Sequence, residues 1–189
     1  MPGSSYEAVV ALAADQHGYV TTAQARRHGV SPHAIKEMAK RGNIERVSWG
    51  LYRVPSIPPS RYSEYMEAAL WPGGRTATIS HESALSVYDL SDVSPDRIHV
   101  TVPPSYRTHR DVPDRFRLHR ADLAPDEIRR VEGVPVTAPE RTIRDCHAGH
   151  VSARLLRQAI EEARREGYLT PERARELARE LLPTSAGLS

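Results

Sequence analysis

The sequence predicts an α+β protein in two domains, the second a mixed α/β domain that ends in two helices. Three observations predict it. A chain of 189 residues suits one large domain or two small ones. A proline-rich stretch, Pro55-Ser56-Ile57-Pro58-Pro59-Ser60, interrupts it early, and proline breaks both helix and strand. On both sides of that stretch, segments with helical spacing alternate with short β-branched or aromatic runs. Hydrophobic residues make up 39% of the chain, enough for a core, but only 6% are aromatic, so the core is built mainly from Ala, Leu, Val and Ile.

The first element is a helix from Tyr6 to Asp15, with Val9, Val10, Leu12 and Ala13 at helical spacing. Gly18 ends it, and Tyr19-Val20 is a short extended piece. Thr21 or Thr22 then caps a second helix, Ala23 to His28, because a threonine hydroxyl accepts an orphan backbone N–H. Gly29 supplies the left-handed residue that stops it. Ser31 caps a third helix, with Pro32 at its first position, where a missing N–H costs nothing. That helix runs to Arg41 and stops at Gly42. Ile44–Ser48 and Leu51–Val54, joined through Trp49-Gly50, read as a β-hairpin. Helix, helix, tight turn, helix, hairpin is the order of a winged helix-turn-helix domain, placed here at residues 5–55, with a linker at 56–60.

The second domain is expected over residues 61–182. It opens with a helix from Tyr62 to Trp71, stopped by Pro72-Gly73-Gly74, followed by a helix over Ser80–Tyr88. Arg97–Val102 alternates polar and apolar side chains, as a half-buried strand does. Phe116–His119 and Val134–Thr137 are further strands, and Pro139 opens a helix to His147. Ser152–Glu166 and Pro171–Leu182 form the terminal helical pair. Their apolar stripes either pack on each other and on the second domain or serve a dimer or a partner. Residues 183–189 read as a disordered tail.

The net charge of +2 is unevenly spread: residues 1–54 carry +3, residues 55–150 carry −2 and residues 151–189 carry +1. The positive excess sits in the smallest unit, an electrostatic footprint for a polyanion. The third helix concentrates it. Ala34, Ile35, Met38 and Ala39 fall on one face and anchor the helix; His33, Lys36, Glu37 and Lys40 fall on the other. A recognition helix needs that division, because one face packs while the other carries donors into the major groove. The candidate DNA-binding residues are Arg26, Arg27, Ser31, His33, Lys36, Lys40, Arg41, Arg46, Trp49 and Arg53. Arg26 and Arg27 are placed for backbone phosphates, which set register and supply non-specific affinity. Arg46, Trp49 and Arg53 belong to the wing, where Trp49 either packs on the hairpin or touches DNA. The competing reading of the same surface is a solvated charged face, and winged helices also bind proteins.

The sequence shows no signature of an enzyme. Its carboxylates are scattered, several in turn contexts where Asp bonds the nearby backbone. His81, His99, His109, His119, His147 and His150 lack metal-ligand spacing, and a single cysteine, Cys146, excludes a zinc site built from several thiols. No catalytic residue, metal or cofactor is expected, and Cys146 reads as a buried small hydrophobe. Ser80 reads as the cap of its helix, and Ile79, Ala84, Leu85, Val87 and Leu90 as the second core. One cysteine, no basic-then-apolar leader and no long apolar run point to the cytoplasm, away from membranes.

Two stretches carry a family resemblance. VTTAQARRHGVSPHAIKEMAKRGNIERVSWGLYRVP, and within it Gly42, Glu45-Arg46 and Gly50-Leu51-Tyr52-Arg53, resembles the AbiEi antitoxins of bacterial toxin–antitoxin systems. ATISHESALSVYDLSDVSPDRIHVTVP at residues 77–103, followed by VPVTAPERTIRDC at 134–146, resembles the same family. The resemblance implies an N-terminal domain that binds operator DNA and represses its own operon. It implies a C-terminal domain linked to antitoxicity, with a nucleotidyltransferase-like toxin encoded next door. The expected partners are double-stranded operator DNA carrying an inverted repeat, read by a homodimer or by two monomers, and that toxin. Some relatives of the N-terminal domain carry an endonuclease-like C-terminal domain. This chain departs from them, with no clustered carboxylates and lysine after Arg120.

Overall fold

The computed structural model describes residues 2–73 and 77–182. Among them, one compact unit holds residues 2–73, 77, 107–109 and 132–135, and a second holds 78–106, 110–131 and 136–182. The expected tail at 183–189 lies outside the described residues.

The first unit begins with α1 (Pro2–Ala14), β1 (Tyr19–Thr21), α2 (Thr22–Arg27) and α3 (Pro32–Lys40). The wing follows as β2 (Glu45–Ser48) and β3 (Leu51–Arg53), and then α4 (Ser63–Leu70). Tyr19-Val20 is more than an extended connector. As β1 it pairs antiparallel with β3, making a three-stranded sheet in the order β1-β3-β2. The caps act at the predicted positions. Thr21 and Gln24 form a reciprocal capping box on α2, and the Ser31 side chain accepts the Ala34 N–H at 3.1 Å. Val9, Ala13, Val20, Ala25, Ile35, Met38, Ile44 and Val54 close the core of this unit.

Two expectations about the domain boundary differ from the structure. Residues 56–60 do not separate two domains, because Ile57 packs against the first core and its N–H bonds Val54 O at 3.1 Å. The helix expected to open the second domain is α4, and it belongs to the first unit. Its buried Glu67 accepts the Tyr19 hydroxyl at 3.1 Å, a bond that a sequence reading cannot see.

The second unit contains β4 (Thr78–Ile79), α5 (His81–Tyr88), β5 (Ile98–Val102) and β6 (Phe116–Arg120). A 3₁₀ turn at Pro125–Glu127 leads to β7 (Ile128–Val131) and, after the first unit's residues 132–135, to the end of β8 (Val134–Thr137). The chain continues through α6 (Pro139–Ala148), α7 (Ala153–Arg165) and α8 (Pro171–Leu181). The sheet order is β6-β5-β4-β8-β7, with β4 antiparallel to β5, and β5–β6 and β4–β8 parallel. β4 and β7 escaped the sequence reading: β4 has two residues, and β7 carries Arg129-Arg130 with three exposed positions, so neither shows a burial period.

The predicted second core is present. Ile79, Ala84, Leu85, Val87 and Leu90 are each at most 2% exposed. Cys146 is buried, and burial pushes its thiol far above the ordinary range, which suits an inert small hydrophobe. The terminal helices pack on each other and α7 packs on α6, burying Leu156, Ala159, Ile160, Ala163, Ala174 and Leu177. Ion pairs lock α8 to α6: Arg144 reaches Glu180 at 2.8 Å, and Arg173 bonds Glu140 at 2.9 Å.

Candidate nucleic-acid interface

The two faces of α3 separate as the residue pattern requires. Ile35 and Met38 are buried, with Ala34 and Ala39 packed behind them; His33, Lys36, Lys40 and Arg41 are exposed. Ser31 and Pro32 start the helix, and the exposed His33 follows in its first turn. Arg26 and Arg27 sit exposed in the last turn of α2, where cations also favour the helix dipole.

The wing carries the other half of the surface. The ladder between β2 and β3 shifts register between Arg46 and Ser48, so Val47 is an extra residue that bends the strand. The turn that follows is tied down, because Thr22 N–H donates to Gly50 O at 2.9 Å. Gly50 has φ +73°, a left-handed value that a side chain would strain. Trp49 is thereby held at the tip, 74% exposed, with the Arg46 guanidinium 5.2 Å from its ring centre. Between wing and helix lies a groove of about 450 Å³ whose lining includes Ile35, Lys36, Arg46, Trp49 and Tyr52.

The predicted residues therefore separate into groups. Arg26, Arg27, His33, Lys36, Lys40, Arg46 and Trp49 present exposed side chains on one small unit. Arg41 is exposed but lies 3.8 Å from Glu37 on the same helix. Ser31 is committed to capping, and that role alone accounts for its side chain. Arg53 turns toward the body: its guanidinium donates to Ile57 O at 3.4 Å and lies 3.9 Å from Glu45. Replacing Trp49 by alanine is expected to weaken duplex binding about tenfold while leaving the thermal midpoint within about 1 °C, because an exposed tip contributes little to folding. Parallel anisotropy and thermal-melt measurements separate the two effects.

Outside this surface the fold assembles a cluster that the sequence spacing concealed. His81, the first residue of α5, His99 on β5 and His119 on β6 bring one ring nitrogen each to within 4.8 Å of one another. The rings of His81 and His119 stack with centres 3.6 Å apart. Glu82 places a carboxylate oxygen 3.1 Å from His99 Nδ1, and Ser80 Oγ lies 3.0 Å from His81 Nδ1. Ser80 also accepts the Thr101 hydroxyl at 2.8 Å. Its side chain makes no cap bond to α5, contrary to the sequence expectation, because these neighbours occupy it. The signal that could have found the cluster is the period-two alternation of β5 and β6, since their register pairs His99 with Arg117 and Thr101 with His119 on a shared face.

Burial is the main cause that pushes the His81 pKa down to about 3 and that of His119 to about 4, and it lowers His99 as well. The neighbouring imidazoles add to this for His81 and His119; Arg117 lowers all three, Arg141 lowers His81, and Asp96 opposes the shift at His99. The rings are thus neutral in the folded unit near neutrality, whereas an unfolded histidine takes up a proton near about pH 6.5. Stability is fully present above that value and falls as pH drops below it, through the depressed values of about 4 for His119 and about 3 for His81. Denaturant melts of the second unit's signal, taken between about pH 7.5 and 4.5, should show this loss, and it should flatten in a His119→Gln variant.

Comparison with known proteins bears on the first unit. Residues 7–55 match the family of transcriptional regulators described as AbiEi antitoxin. The AbiEi match begins in α1 and runs through both helices of the helix-turn-helix and the whole wing, so it contains every candidate DNA-binding residue. The rest of the chain, including the resembling stretches at 77–103 and 134–146, lies outside it. No curated protein matches. Among solved structures, the crystal structure of the RV2827C protein from Mycobacterium tuberculosis is similar at 18% identity and a TM-score of 0.45, over 93% of this chain and 80% of that one. No helix among the described residues is long and apolar enough to cross a membrane.

Proposed function

We propose that this chain is an antitoxin-type transcriptional regulator, not an enzyme, which binds double-stranded operator DNA in the cytoplasm and represses its own operon. The observation that carries this reading is the joined basic surface of α3 and the wing, within the segment that matches the AbiEi regulators. Its exposed cations are displayed on a helix anchored by Ile35 and Met38, which is what insertion into a major groove requires. Lys36 and Lys40, one turn apart, point the same way and reach base edges or phosphates. Arg26 and Arg27 supply phosphate contacts, and Arg46 with Trp49 lies along the neighbouring groove. An operator with an inverted repeat takes two copies of this unit. The second unit is the part directed at a nucleotidyltransferase-like toxin.

The test is an anisotropy titration of the full chain against the DNA upstream of its own gene, with a scrambled duplex alongside, at about 50 and 200 mM salt. Tight, salt-sensitive binding that prefers the upstream duplex supports autoregulation. Equal weak binding to both duplexes removes the operator reading and favours a protein-binding role for the same surface.

A further inference from the structure

We propose that His81, His99 and His119 form a binding site in the second unit for a divalent transition-metal ion of the zinc class. The donor set is the first reason. Three imidazole nitrogens already lie within 4.8 Å of one another, and imidazole suits zinc, copper, nickel and cobalt, whereas calcium and magnesium demand oxygen. The second reason is hydrogen bonding. His119 Nε2 is buried with no hydrogen-bond partner among the described residues, a cost that ligation would remove. His99 is 4% exposed, and its Nδ1, 3.1 Å from a Glu82 carboxylate oxygen, likewise makes no hydrogen bond among the described residues. His81 Nδ1, by contrast, is hydrogen-bonded to Ser80 Oγ at 3.0 Å, which orients its ring.

The backbone supplies a third reason. His81 has φ +53°, an uncommon conformation for a side-chain-bearing residue, and it is held there where α5 begins. Tetrahedral zinc with ligands at about 2.1 Å spaces its nitrogens about 3.4 Å apart. The set therefore closes by roughly an ångström around the ion, and the stacked rings of His81 and His119 rotate apart to converge on it. Three protein ligands leave the fourth position for water. Arg117 and Arg141 put positive charge near the rings and Glu82 offsets it, so the affinity falls below that of a site lined by carboxylates. The bound ion would clamp α5, β5 and β6 together, independently of the DNA surface.

The experiment uses the untagged full chain, stripped with a chelator and shown to be folded by circular dichroism. Zinc is titrated calorimetrically, and cobalt is added separately for its visible absorption. One equivalent of zinc bound at micromolar or tighter affinity, with intense tetrahedral cobalt bands, is expected. His81→Gln and His119→Gln, each with a native dichroism spectrum, should bind at least about tenfold more weakly, while His109→Gln should bind normally. Absence of stoichiometric zinc binding by the folded chain overturns the proposal. So does affinity that is unchanged in both folded variants.

Discussion

Replacing Lys36 and Lys40 together by glutamate is expected to weaken binding to the upstream duplex by about 100-fold near physiological salt. Both side chains are exposed on the free face of α3, four residues apart, so they meet the same stretch of DNA. Each phosphate neutralised by a lysine releases about one counterion, and reversal adds repulsion to that loss. The slope of log affinity against log salt should therefore flatten by about two. Folding should barely respond: exposed substitutions stay within about 0.5 kcal/mol, and Lys40 at the helix end loses only a modest dipole interaction. The measurement is a salt series of anisotropy titrations together with a denaturant melt. Unchanged affinity in a folded double variant would show that α3 is not the reading helix.

On the opposite face of the same helix, Ile35→Ala is expected to destabilise the first unit by about 2–4 kcal/mol. Ile35 is 1% exposed and packs in the core with Val9, Val20, Ala25 and Met38. Truncation removes three methyl or methylene groups and leaves a cavity that the short helices around it cannot fully close. A small unit has little stability to spare, so the denaturation midpoint of its signal should fall clearly. DNA affinity should then be lost through unfolding, and low temperature or added duplex should partly restore it by mass action. A variant that unfolds normally yet fails to bind would contradict this account. The pair of predictions therefore separates the two faces: the lysines act on affinity with stability held, and the isoleucine acts on affinity only through stability.

How far the sequence could be read depended on how local each signal is. The caps at Thr21 and Ser31, the stops at Gly29 and Gly42 and the Trp49-Gly50 turn each act within a few residues, so helix, turn, helix and wing followed directly. The basic face of α3 followed as well, because helical spacing alone sorts Lys36 and Lys40 from Ile35 and Met38. Arg53 was harder. Its type and position in the wing suggested DNA, but its bond to Ile57 depends on how the chain after the wing folds back.

The sequence by itself determined the α+β class, the two-faced helix α3 and the two apolar stripes that became α7 and α8. Only the tertiary structure decided that α4 joins the first unit, that β1 and β4 complete the sheets, and that three histidines from separate segments converge. The reason is the range of the interactions. Periodicity and capping are properties of neighbours along the chain. The buried bond from Tyr19 to Glu67 spans 48 residues, and the approach of His99 to His119 depends on the parallel register of β5 and β6, which no local pattern specifies.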